Sequence, residues 1–236
     1  MNIETTGHLL PNTLLPQHRN ISRAAGLFYL LTFVSVPTLF LYGPIHEPAY
    51  LLGNGNDNGV IIGGISEIVV ALCGIITAVV LYPLLRKQNE SLAMGLVAAR
   101  ILEAGTMFTG VALLLGVVSL RQTGAGAEAL PVAQTLVILY DRIFVLGQGF
   151  IPAINDLLLG LLLYRSGLVP RFLALIGIAG GLPLLAGYFA LIFGLIDRIS
   201  PLAGLSALMV AVFEFSLGIY LLFKGFKASS PLLNAK

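Results

Sequence analysis

The 236-residue chain is 57% hydrophobic and only 10% charged, with a mean hydropathy of +0.95, whereas roughly a quarter of the residues of a soluble domain are charged. That composition excludes a water-soluble globule, and at about 20 apolar residues per membrane span it leaves room for about six spans and no large soluble domain. The net charge of +2 comes from basic residues scattered over short loops, which offers no stripe for nucleic acid, and the single cysteine, Cys73, excludes an intrachain disulfide and any multi-cysteine metal motif.

Residues 1–20 hold Pro11 and Pro16 among polar residues and show no helical pattern, so they read as a mobile tail. The first span is expected at 24–42. Its apolar run exceeds that of a signal peptide and ends in no small-x-small cleavage site, so it is expected to be retained. The loop 43–58, "GPIHEPAYLLGNGNDN", is rich in turn formers and carries Glu47 and Asp57. Spans follow at about 59–83, with Glu67, and 92–120, with Arg100 and Glu103. Residues 131–164 would extend about 50 Å as one helix, against a hydrocarbon core of roughly 30 Å. "GQGFIP" (147–152) supplies Gly147, Gly149 and Pro152, the ingredients of a kink or a re-entrant break. The fourth span is therefore placed at 143–164, with Asp156 inside it and 131–146 tilted, interfacial or re-entrant. In "YRSGLVPR" (164–171), Gly167 suits a left-handed helix end, Pro170 the start of the next helix, and Arg165 and Arg171 anionic headgroups. The last spans fall at 171–196, loosened by "GGLP" (180–183), and 202–224, with Glu214. Residues 226–236 form a second tail.

The fold class is thus all-α, a polytopic membrane bundle of six transmembrane helices over 21–225. With the N-terminus inside, the inner segments hold Arg19, Arg23, Arg86, Lys87, Arg165, Arg171, Lys224, Lys227 and Lys236, and the outer ones only Arg121 and Arg198. Positively charged loops stay cytoplasmic, so both termini are expected there.

An ionised side chain at the bilayer centre costs about 2.5–3.5 kcal/mol on insertion scales, so Glu67, Arg100, Glu103, Asp156 and Glu214 each need a partner or a wet pocket. Arg100 lies nine residues beyond Ser91 and Asp156 nine before Arg165, both about 13 Å from the inner end. Arg100 is therefore expected to be shared by Glu103 and Asp156. Glu67 is matched in depth with Arg142. Glu214 has no basic residue assigned to it and is expected either to be neutral and hydrogen-bonded to a neighbouring helix or to couple a proton. Gly59 with Gly63, and Gly177 with Gly181, permit close helix approach. Three helices plus three would allow an inverted repeat with Glu103 and Glu214 at like positions, although the halves show no clear sequence match.

His8, His18 and His46 lie apart from one another and no phosphate loop or dinucleotide fingerprint is present, so no metal site, cofactor or catalytic residue is assigned. "SRAAGLFYLLT" (22–32), "LYPLLRKQNESLAMGLVAARILEA" (81–104) and "LLYRSGLVPRFLALIGIAGG" (162–181) resemble the bacterial six-helix membrane family known as domain of unknown function 4386. The resemblance covers most of residues 20–225 and carries over Arg23, Arg100, Glu103, Arg165, Ser166, Gly167, Pro170 and Arg171. It implies the fold and a bacterial inner membrane, and no activity. The leading functional expectation is a small-solute or proton-coupled transport or binding protein with a polar centre at Arg100, Glu103, Asp156, Glu214 and Glu67. The alternatives are a membrane sensor or assembly subunit whose buried charges only specify packing, and an intramembrane acid-base enzyme. The expected partners are the lipid bilayer with anionic lipids at the cytoplasmic face, and a small solute or a proton.

Overall fold

A computed structural model describes residues 14–53, 55–197 and 200–234. Most of the N-terminal tail, Arg198 and Lys236 lie outside the described residues. All regular structure among those described is helical. The main elements are α1 (Pro16–Leu31), α2 (Asp57–Leu85), α3 (Glu90–Gln122), α4 (Leu130–Phe144), α5 (Ile151–Ser166), α6 (Arg171–Ile192) and α7 (Pro201–Ile219). Five helical segments are long and apolar enough to cross a membrane: α2, α3, residues 127–166, α6 and residues 201–224. Large apolar side chains such as Ile65, Phe108, Phe172, Leu182, Leu205 and Phe215 are exposed along them, a surface that lipid would cover and water would not.

Local chemistry sets the ends of these helices. Asn89 accepts from the Leu92 amide at 2.9 Å and Ser200 from the Ala203 amide at 3.2 Å, which supplies partners for otherwise orphaned first-turn donors. Gly167 closes α5 with φ 64°, a left-handed cap that a Cβ would strain. Pro16 opens α1 at its first position, so the helix begins inside the stretch read as a tail. Proline tolerates that position because its missing N–H is not needed there.

The first predicted span is not one helix. After α1 the chain makes a 3-10 turn, Thr32–Ser35, and then a short helix, Thr38–Leu41. Thr32 donates to the Tyr29 carbonyl at 2.7 Å, Ser35 to that of Thr32 at 3.3 Å and Thr38 to that of Ser35 at 2.6 Å. Hydroxyls that back-bond in this way compete with the α-helical ladder, and Pro37 removes one backbone donor. The interruption expected at "GQGFIP" is a π-helical turn, Val145–Phe150, joining α4 directly to α5. Residues 131–146 run antiparallel along α3, because Leu136 lies beside Gly116, Tyr140 beside Gly110 and Gly147 beside Thr106. "GGLP" leaves α6 unbroken, with Pro183 inside it; Gly180 lets α6 approach the backbone at Met209 and Val210.

Helix α3 is the centre of the bundle, packed against α2, α4 and α5, while α1 lies against α2 and α7. Along α3 the surroundings change in layers. Leu96 belongs to a large apolar cluster with Tyr29, Leu81, Leu85, Leu162 and Phe213, Arg100 and Glu103 follow, and Leu114 and Val117 belong to a second apolar cluster with Tyr42, Val60 and Val137. The first cluster lies at the end that carries Arg86, Lys87, Arg165 and Arg171. The C-terminal segment is bound to that end: Phe226 is buried, the Lys227 amide donates to Leu168 O at 2.8 Å, and Ser230 donates to Ser166 O at 2.6 Å. At the opposite end Asp57 accepts from the Tyr50 hydroxyl at 2.7 Å and forms an ion pair with Arg121. Burial, followed by that hydrogen bond to the carboxylate, holds the Tyr50 phenol well above its ordinary range.

The tightest backbone approach joins α1 to the last span. A methyl group at Gly26 would stand 2.5 Å from the Leu222 nitrogen and 2.7 Å from Gly218 O, and neither is the movable end of a side chain. Gly26→Val is expected to destabilise the protein by at least about 1–3 kcal/mol, the usual cost of overpacking; thermal unfolding in lipid nanodiscs against wild type measures it.

Candidate functional site

Four helices bring polar side chains into the layer between the apolar clusters. Arg100 is 5% exposed and buried Glu103 lies one turn along the same helix. Arg100 Nη1 donates to Glu103 Oε2 at 3.0 Å and Nη2 to Glu214 Oε1 at 2.7 Å. Asn155 Nδ2 donates to the same Glu103 Oε2 at 2.8 Å, and the guanidinium carbon lies 5.8 Å from the centroid of the Tyr29 ring, within cation–π range. Gly74 leaves room for the arginine stem, since a methyl group there would stand 3.7 Å from Arg100 Cδ. One guanidinium thus ties α3 to α7 and, through Glu103, to α5.

The expected partnership of Arg100 with Glu103 is present; Asp156 stands close enough to Arg100 to interact with it electrostatically, but the second contact ion pair of the arginine is with Glu214. Asp156 is fully buried and neither carboxyl oxygen makes a hydrogen bond among the described residues. Matching depths gave the right height on α5, and the adjacent residue, Asn155, about 100° away round the helix, is the one that hydrogen-bonds into the cluster. Glu214 does have a basic partner. It lies ten residues before Lys224, about 15 Å from that end, which is close to the depth of Arg100. Glu67, also buried, accepts from the Tyr140 hydroxyl at 3.2 Å. Arg142, expected in that role, is exposed; two residues turn a helix by about 200°, so it faces away from Tyr140.

A cavity of about 240 Å³ opens beside the ion pairs. Arg100, Glu103 and Glu214 supply its charged wall, and Phe33, Met107 and Tyr188 are among its apolar lining. Both helix interruptions reach it: Thr32 and Ser35 from the 3-10 turn after α1, and Gln148 from the π turn before α5. Pro152 lines the cavity as well, while Gly147 and Gly149 admit the side chains of Thr106 and Tyr188 against the backbone. Thr32, Ser35, Gln148, Tyr188, Tyr29 and Asn155 were not singled out from the sequence. For the first two a signal was present, a Thr-x-x-Ser-x-Pro-Thr spacing inside an apolar run.

Arg165 and Arg171 flank the turn after α5, exposed, with Arg171 5.6 Å from the Tyr164 ring centroid. Among the described residues no three His, Cys, Asp or Glu side chains converge as a metal site, and the polar centre offers no nucleophile paired with a base. What the centre does offer is a desolvated, charged wall next to a small space.

A family model described as Domain of unknown function (DUF4386) matches residues 24–225. Comparison with curated proteins and with solved structures finds no match.

The contrast between Arg100 and Asp156 gives a direct check. Arg100→Ala strands the buried Glu103 and the partly buried Glu214 and is expected to cost about 3–5 kcal/mol, as when one partner of a buried ion pair is removed. Asp156→Asn removes no hydrogen bond and is expected to be neutral or stabilising. Parallel melting curves of the two variants in nanodiscs provide the measurement, and equal losses would show that Asp156 also serves Arg100.

Proposed function

The chain belongs to the family described as Domain of unknown function (DUF4386), a description that assigns no activity, and from the site itself we propose that the protein binds a small solute or a proton at its polar centre and carries it across the membrane. The observation that supports this reading is the convergence of two interrupted helices on one cavity beside a buried charge cluster. Irregular backbone is tolerated at membrane depth only where it is buried in protein or lines a cavity, and broken helices frame the central sites of many carriers. Helix interruptions also concentrate the conformational freedom that a carrier needs to open toward each side in turn.

In this reading the segment from α1 through Leu41 is a sixth, broken span. Its 26 residues would cover about 39 Å as a helix, enough for a core of roughly 30 Å. Both termini lie in the cytoplasm of a bacterial cell and the basic end faces anionic lipid. Support comes from the gathering of Arg19, Arg23, Arg86, Lys87, Arg165 and Arg171 at the end where α1, α3 and α6 begin. A packing-only role for the charges accounts for the ion pairs but not for the space beside them.

Transport requires that the cavity be reached from both sides. In a Cys73→Ala background, Ser35→Cys is expected to react with a membrane-impermeant thiol reagent applied to either side of sealed vesicles, at rates within roughly tenfold of each other if neither state is rarer than about 10%. Reaction from one side only, or from neither, would rule out a carrier and favour a sensor or assembly subunit.

A further inference from the structure

The charge arrangement of the cavity narrows the class of solute that it can hold. The polar centre sets one guanidinium against three carboxyl groups: Glu103, Glu214 and Asp156. Both terminal nitrogens of Arg100 already donate to carboxylates, and its Nε is buried without a hydrogen bond, so the arginine presents no free fork to an anion. Glu103 Oε2 is taken by two donors, whereas the Glu214 side chain keeps 17% of its surface exposed and lines the cavity. Behind this wall stands Asp156, wholly buried with two oxygens unpartnered. An anion brought to such a site meets carboxyl oxygens and a guanidinium whose two terminal nitrogens are already engaged; a cation with N–H groups meets a partly exposed acceptor at Glu214. Aromatic rings of Phe33 and Tyr188 in the lining suit a cation with an organic body. The space sets the size. At about 30 Å³ per water, the 240 Å³ cavity holds on the order of eight non-hydrogen atoms.

We propose that the cavity takes a small organic cation, a protonated primary or secondary amine of on the order of eight non-hydrogen atoms, with its ammonium group at Glu214 and its body against Phe33 and Tyr188. The proposal rests on the reading of the cavity as a solute site and specifies the charge of that solute. It differs from a metal-ion site, because the carboxyl groups do not converge on one point.

The experiment compares three probes that share a benzyl or phenyl skeleton and differ in charge: benzylammonium, benzyl alcohol and benzoate. Each is titrated at constant ionic strength against the full-length protein in nanodiscs of zwitterionic lipid, and the melting temperature is followed, since a ligand selective for the folded state raises it with concentration. Benzylammonium should stabilise wild type, and benzoate should not. Glu214→Gln should weaken the benzylammonium response by about 10- to 100-fold in apparent dissociation constant, the span for losing one hydrogen bond to a charged group. Glu47→Gln, which removes the same formal charge in an exposed loop, should leave it unchanged. Ala207→Phe fills the cavity from α7 with every charge retained and should abolish the response, which keeps the test decisive if Glu214→Gln fails to fold. A benzylammonium effect that survives Ala207→Phe places the amine elsewhere and overturns the proposal. Stabilisation by benzoate or benzyl alcohol, absent with benzylammonium and lost in Ala207→Phe, overturns the cationic class and leaves the solute site standing. No stabilisation by any of the three overturns both.

Discussion

A guanidinium held away from water must be neutralised and hydrogen-bonded where it sits, and in this bundle that requirement falls on Arg100. Helix α3 runs through the middle of the structure and places the arginine between two apolar clusters, where an unpaired charge would be costly. Its two ion pairs and the hydrogen bond from Asn155 draw α3, α5 and α7 to a common level. The ring of Tyr29 adds α1. Apolar packing alone discriminates poorly among helix arrangements in lipid, because the surrounding chains are as apolar as leucine. A directional ionic junction fixes which faces meet and at what height.

Two departures from regular helix sit beside this junction, and each has a different cause. The one after α1 comes from side chains, with three hydroxyls turned back on the preceding carbonyls and a proline that cannot donate. The one before α5 comes from close approach, since Gly147 and Gly149 receive Thr106 and Tyr188 where any side chain would collide. Together they leave space in a layer that is otherwise filled. Cavity and charge cluster are therefore two aspects of the same region, in which polar groups and irregular backbone replace leucine packing.

Hydropathy made the long helices legible, because a run of apolar residues has one meaning over 20 or more positions. Arg100 and Glu103 stood out for the same reason, as exceptions to such a run. Depth along a helix was also readable by counting, and it set Arg100 and Asp156 at one level. Direction around the helix was not. It depends on how neighbours pack, and an apolar membrane helix shows lipid and protein nearly the same chemistry, so no polar face marks the outside. The reading therefore chose Asp156 where Glu214 makes the ion pair, and Arg142 where Tyr140 reaches Glu67. The break at Thr32–Ser35 was hidden in another way: hydropathy averages over a window, and three small hydroxyl residues barely lower it.

The 114 residues that separate Arg100 from Glu214 impose an order on biosynthesis. At about 5–20 residues per second, the ribosome finishes Glu214 roughly 6 to 23 s after Arg100. During that interval the third helix has to leave the translocon with a positive charge whose distant counter-ion does not yet exist. Glu103, one turn further along and made at almost the same moment, accompanies Arg100 through that interval. The residue that joins α3 to α5 in the finished protein is thus also the counter-ion at hand during insertion, and the bond to the last helix can form only as a closing step of assembly.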